Sequence, residues 1–137
     1  MTESDSHLLH LIGVVPSKLH RREDTPRQGA PDAWLLIAPR FIEALDGITP
    51  GSEIVVLTWL HLTDRNILKV HPRNDMLAAK RGVFSTRSPD RPNPIGLHRV
   101  TVIEIDPERG LRVQPLEALD GTPVIDIKPV LHDSQHL

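Results

Sequence analysis

The chain has 137 residues, no cysteine, 39% apolar and 3% aromatic side chains, and a formal charge of −2 from 16 Lys/Arg against 18 Asp/Glu. That length suits one domain with its own core, and the missing thiols exclude disulfides, thiolate-bound metals and catalysis through a cysteine nucleophile. No apolar run approaches the ~18 residues of a membrane span, and the opening Met1-Thr-Glu-Ser-Asp-Ser-His7 lacks the basic and apolar regions of a secretion signal, so a cytoplasmic protein is the expectation.

Residues 1–9 read as a frayed start, and Ile12-Gly-Val-Val15 as a first short strand ended by Pro16. Pro26, Gly29 and Pro31 break any helix in the polar stretch from Ser17 to Asp32, and a loop of that length inside a compact domain is commonly functional. Ala33 to Ala38 forms a second strand candidate, after which Pro39 opens a short helix through Leu45, stopped at Asp46-Gly47. The longest apolar run, Ser52 to Leu62, is β-branched at Ile54, Val55, Val56 and Thr58 and predicts a strand through the core. A shorter strand follows at Ile67 to Val70.

Gly82 to Thr86 introduces a segment that no regular element can cross. Pro89, Pro92 and Pro94 fix their own φ and push Ser88, Arg91 and Asn93 toward extended geometry, which makes a rigid presenter of polar side chains. Leu97 to Ile105 predicts another strand, but both of its faces are mixed, so alternation does not assign its inward side. Asp106-Pro-Glu-Arg-Gly110 carries hairpin turn chemistry before Leu111 to Leu116, and Asp120-Gly-Thr-Pro123 carries a turn before Val124 to Ile127. Many short strands, regular turn signals and little helix predict a mainly β fold. The expected architecture is a small closed or nearly closed antiparallel β-barrel with one or two short helices, a single domain over residues 1–137.

Charge is unevenly spread. Residues 65–99 hold eight Lys/Arg against two acids, whereas residues 100–137 hold three against seven. The basic block is the footprint expected for phosphate or nucleic acid, and equally that of a solvated face balanced by the acidic segments. The eight histidines show no zinc-finger spacing, and His61 and His71 lie ten residues apart, so no metal is expected. No Gly-x-Gly-x-x-Gly, Gly-x-x-x-x-Gly-Lys-Ser/Thr or Gly-x-Ser-x-Gly motif is present.

Gly82-Val-Phe-Ser-Thr-Arg-Ser-Pro-Asp-Arg-Pro-Asn-Pro-Ile-Gly-Leu97, together with Leu119-Asp-Gly-Thr-Pro-Val-Ile-Asp-Ile-Lys-Pro129, resembles the signature pair of the TsaA/TrmO family, and Thr25-Pro-Arg-Gln28 resembles its third motif. The resemblance covers about residues 10 to 131. It implies an S-adenosylmethionine-dependent methyltransferase on a β-barrel, a homodimer with cofactor sites near its interface, and N-methylation of threonylcarbamoyl-adenosine beside the tRNA anticodon. Cofactor contacts would fall on Pro26, Arg27 and Gln28, on Leu60 and His61, on Arg87 and Leu97, and on Glu117, Ala118, Leu119 and Asp120. Arg27 or Arg87 suits the cofactor carboxylate, and Asp120 or backbone carbonyls suit its sulfonium. Taken alone, the same residues read as surface arginines, a strand-end histidine, core leucines and turn chemistry.

Methyl transfer from a sulfonium is an in-line displacement in which alignment is the main task. If the nucleophile is an exocyclic nitrogen, Asp126 is the motif residue placed to receive its proton, and Lys128, two residues on, either holds Asp126 ionised or meets a phosphate; a strand-end ion pair is the alternative. Arg91 and Asn93 are the candidate substrate or tRNA contacts. The family loop commonly carries an aromatic where this chain has Asp90, and the chain stops at Leu137, short of the C-terminal region of the longer tRNA-modifying members. A small-molecule acceptor, or a non-enzymatic sensor that binds the cofactor, are therefore the alternative expectations.

Overall fold

The computed structural model describes residues 5–20 and 31–132. Six strands close a barrel in the order β1 (Gly13–Val15), β2 (Ala33–Ile37), β7 (Gly110–Gln114), β6 (Ile95–Asp106), β3 (Glu53–Trp59) and β8 (Thr122–Pro129), each paired antiparallel to both neighbours. A separate two-stranded hairpin joins β4 (Lys69–Val70) to β5 (Arg81–Gly82). The closed mainly β architecture expected from the strand and turn pattern is what the chain adopts.

The interior is aliphatic. Leu35, Val56, Leu111, Val113 and Val124 are fully buried, and Phe41, Ile42, Leu45 and Ile48 pack against this cluster. The last four belong to or follow the turn that Pro39 opens, which is a 3-10 helix (Pro39–Leu45) rather than an α-helix. Seven residues are too few to repay α-nucleation, and the tighter coil still turns Phe41, Ile42 and Leu45 toward the core.

A β-bulge explains why the alternation of β6 could not be read, and a second one reorients β8. Val102 pairs with Val113 but Glu104 pairs with Arg112, so Ile103 is an extra residue and the inward phase moves from Val100 and Val102 to Ile105. On β8, Val124 faces Thr58 but Asp126 faces Leu57, so Ile125 is extra. That turns Ile127 inward and places Asp126 and Lys128 outside. Gly110 is demanded by closure, since its φ is +142° and a Cβ there would stand 2.1 Å from the Leu35 carbonyl oxygen.

Candidate functional site

β3 supplies Ile54, Val56 and Thr58 to the interior and then leaves the ladder after Trp59, short of the predicted end at Leu62. Its continuation is sewn to the proline loop. The Leu60 amide donates to the Pro94 carbonyl at 2.7 Å, the Asp64 amide to Asp90 Oδ1 at 3.0 Å, and Arg65 to the Pro92 carbonyl at 2.7 Å and Asn93 Oδ1 at 3.3 Å. The Arg65 guanidinium also lies over the Trp59 ring at 5.1 Å. Arg91 is turned inward: it donates to the carbonyls of Val83 and Thr86, while its Nε is buried without a partner among the described residues. Arg91 and Asn93, expected to meet substrate, thus hold the loop together in the isolated chain.

Below this sutured pair of loops lies a cleft of about 120 Å³, bounded by Leu60, His61, Pro89, Glu117, Ala118 and Leu119. Leu116 is buried and its amide donates to the Pro31 carbonyl, which anchors the segment that presents Glu117. Thr122 donates its hydroxyl to the Leu119 carbonyl at 2.6 Å, and Asp120, between them in the chain, accepts the Ser17 amide at 2.9 Å. Glu117 Oε1 is buried with no hydrogen-bond partner among the described residues. An unpaired carboxylate oxygen among leucines is costly unless a donor or cation arrives, so this atom marks the cleft as a place for a ligand with hydroxyl, ammonium or sulfonium groups.

Gly96 supports the cleft from within the barrel. A Cβ there would stand 2.5 Å from Thr58 Oγ1, 2.9 Å from His98 Nε2 and 3.1 Å from Leu60 Cδ2. Thr58 Oγ1 and His98 Nε2 share a 2.8 Å hydrogen bond, and burial pushes the His98 imidazole below the ordinary value of 6.5.

A second cleft, of about 660 Å³, opens between the β4–β5 hairpin and the proline loop, with Lys69, Arg73, Lys80, Arg81 and Arg87 on its walls. Pro89 lines both clefts. Among the described residues no group of three His, Cys, Asp or Glu side chains comes together as a metal site would require.

The family model described as the tRNA-methyltransferase O N-terminal domain matches residues 14–135. The chain belongs to that family. It is 48% identical to a probable S-adenosyl-L-methionine-binding protein of Methanothermobacter thermautotrophicus, over 92% of this chain and 91% of that one. It is 45% identical to an S-adenosyl-L-methionine-binding protein of Archaeoglobus fulgidus, over 88% and 87%. The crystal structure of TrmO from Pseudomonas aeruginosa superposes with a TM-score of 0.72 at 31% identity, over 94% of this chain and 58% of that one. The chain therefore spans somewhat under two thirds of the solved TrmO chain.

Membership in the tRNA-methyltransferase O family gave an expected cofactor set, and the fold divides it. Leu60, His61, Glu117, Ala118 and Leu119 meet in the small cleft, with Asp120 at its margin. Arg87 lines the basic cleft instead. Leu97 points outward from β6, 52% exposed and directly across the ladder from Leu57, whose other neighbour is Asp126. Asp126 and Lys128 form a 3.2 Å ion pair on this outer face and line neither cleft. Pro26, Arg27 and Gln28 lie outside the described residues. Sequence reasoning passed over Phe84, which stands 85% exposed in the turn beside buried Val83. The signal available was an apolar pair in a turn too short to bury both members.

Proposed function

We propose that this protein is an S-adenosylmethionine-dependent methyltransferase that N-methylates threonylcarbamoyl-adenosine in tRNA. The observation that carries the reading is the meeting of Leu60, His61, Glu117, Ala118 and Leu119, residues that the family motifs single out, around one small cleft with a partnerless Glu117 oxygen in its wall. When bound, the cofactor supplies a methyl carbon on a sulfonium, open to in-line attack. Glu117 accepts from its hydroxyl or ammonium groups, Leu60 and Leu119 exclude water, and the Asp120 cap on Ser17 keeps the wall in register. Arg87, and Arg27 with Pro26 and Gln28, remain the contacts that the motifs imply for the rest of the molecule.

A cleft of about 120 Å³ is small beside the ~300 Å³ or more that encloses a ligand of this size. The reading therefore includes a homodimer. Leu97 and Asp126 flank Leu57 on an outer face that also carries Trp59 and 43%-exposed Ile95, and a second copy seated there would bring its cleft to both motif residues. In that arrangement Asp126 is the base for the exocyclic nitrogen. Asp126→Asn then lowers methyl transfer about 100-fold without weakening cofactor binding, whereas a merely structural ion pair leaves turnover intact.

Calorimetric titration with S-adenosylmethionine, followed by mass spectrometry of nucleosides from tRNA incubated with the protein and cofactor, tests the whole. Binding with a methyl gained on threonylcarbamoyl-adenosine is expected. Binding without any methylated nucleoside would reduce the protein to a cofactor sensor or a small-molecule enzyme, and no binding would remove the reading altogether.

A further inference from the structure

Two groups of cations among the described residues contrast. On the barrel, Arg99, Arg109, Arg112 and Lys128 each pair with a carboxylate within 3.3 Å. In the large cleft, Lys69, Arg73, Lys80, Arg81 and Arg87 form no ion pair with any described residue. The acid on that wall, Asp90, already accepts the Asp64 amide. Five uncompensated cations converging on one concavity focus a positive field, which suits a chain of phosphates better than a single anion.

Backbone geometry points the same way. Arg73 sits at φ +54° and Asn74 at φ +58°, in a turn closed by the Asn74 amide on the His71 carbonyl. With Pro72 before it, this is a turn whose third position favours glycine, yet the chain places a long cation there. His71 Nδ1 donates to the Ala78 carbonyl at 2.9 Å, and the Leu77 amide to Asp75 Oδ1, which fix the loop behind it.

Beside the cleft stands Phe84. Its turn is locked: the Val83 amide donates to the Leu68 carbonyl, the Ser85 hydroxyl to the Gly82 carbonyl, and Arg91 to the carbonyls of Val83 and Thr86. Val83 is 2% exposed and Phe84 is 85% exposed, so the turn pins one apolar residue in the core and holds the next one out. Arg81 and Ser85, on either side of this pair, both line the basic cleft. A fixed, exposed aromatic ring bordering unpaired cations is the arrangement that binds unpaired nucleotides, the cations following the backbone and the ring stacking on a base.

We infer that the β4–β5 cleft and Phe84 form a binding surface for single-stranded or looped RNA, and that Pro89, shared with the small cleft, marks where a nucleotide passes from one to the other. The inference deepens the methyltransferase reading and rests on it for the choice of RNA over other polyanions.

Fluorescence anisotropy with a labelled stem-loop RNA, and with the fully paired duplex of the same sequence as a control, tests it, alongside calorimetry with S-adenosylmethionine. Lys80→Ala combined with Arg81→Ala should weaken stem-loop binding about tenfold and flatten the salt slope by about 1.4, the value for two single-strand phosphate contacts. Phe84→Ala should weaken the stem-loop about tenfold, spare the duplex and leave the salt slope unchanged. Both variants should keep wild-type affinity for S-adenosylmethionine, which shows that they fold. Wild-type affinity and slope in both variants would overturn the inference while leaving the methyltransferase reading untouched. So would a Phe84→Ala protein that loses self-association in light scattering but binds RNA normally. Cofactor binding without any RNA binding by the unaltered protein would overturn the inference together with the tRNA acceptor.

Discussion

On the proposed function, Glu117 is the residue on which cofactor recognition turns. Replacing its carboxylate by an amide keeps the shape but substitutes a neutral acceptor for a charged one at a buried atom. Glu117→Gln should weaken S-adenosylmethionine binding by roughly 10- to 100-fold, the range for losing a charged hydrogen bond. Titration calorimetry reads this directly, and unchanged affinity would remove Glu117 from the site. His98 carries a different expectation. Burial keeps it neutral below the pH at which it protonates in the unfolded chain, so the unfolded state binds more protons as pH falls below about 6.5. Stability should therefore decline from about pH 7 downward until the lowered folded value is passed, and His98→Gln should flatten that decline in the thermal midpoint. Glu53, held low by its hydrogen bond from Arg99, and Asp106, held low by the Glu108 amide, act in a separate window. Their stabilisation is present above their unfolded values and is lost only at more acidic pH. None of this was legible residue by residue. Glu117 entered through a motif as one of four consecutive positions, and only burial singles it out. His98 has no spacing or motif of its own that marks it as buried.

At the level of elements, strand positions were legible because β-branched runs and turn residues mark them, as in Glu53–Trp59 and the hairpin at Asp106 to Gly110. Facing was not, because a one-residue bulge reverses the inward phase and leaves no mark in composition. Ile103 and Ile125 are ordinary strand residues that become extra only through their partners. The bulge at Ile125 decides that Asp126 lies outside the barrel, which unbroken alternation from Val124 would have denied. The β4–β5 loop supplies the test at this scale. Arg73 holds a left-handed backbone at a cost on the order of 1 kcal/mol that glycine would not pay. Arg73→Gly should raise the thermal midpoint slightly while weakening RNA binding several-fold. A variant that gains stability and keeps RNA affinity would leave the cation at this strained position without a role.

For the whole molecule, closure leaves the barrel no free edge, so recognition must use loops, ends and outer faces. In the proposed dimer the outer face of β3 and β6 is the one for self-association, and Leu97→Asp should shift the protein toward monomer in light scattering and weaken cofactor binding with it. A monomer that binds the cofactor at full strength would place the complete site within one chain. Closure also has a weakest seam. β1 is three residues long, yet it joins β2 to β8, and the chain just beyond it is tied by Ser17 to Asp120 at the cleft margin. In deuterium exchange the amides of Val14, Val15 and Ser17 should be among the first barrel protons lost, since so few ladder bonds must open to release them. Filling the cleft should slow that loss by bracing Asp120 from the other side. The rim strand would then report occupancy in a protein with no tyrosine and few tryptophans to signal it by fluorescence.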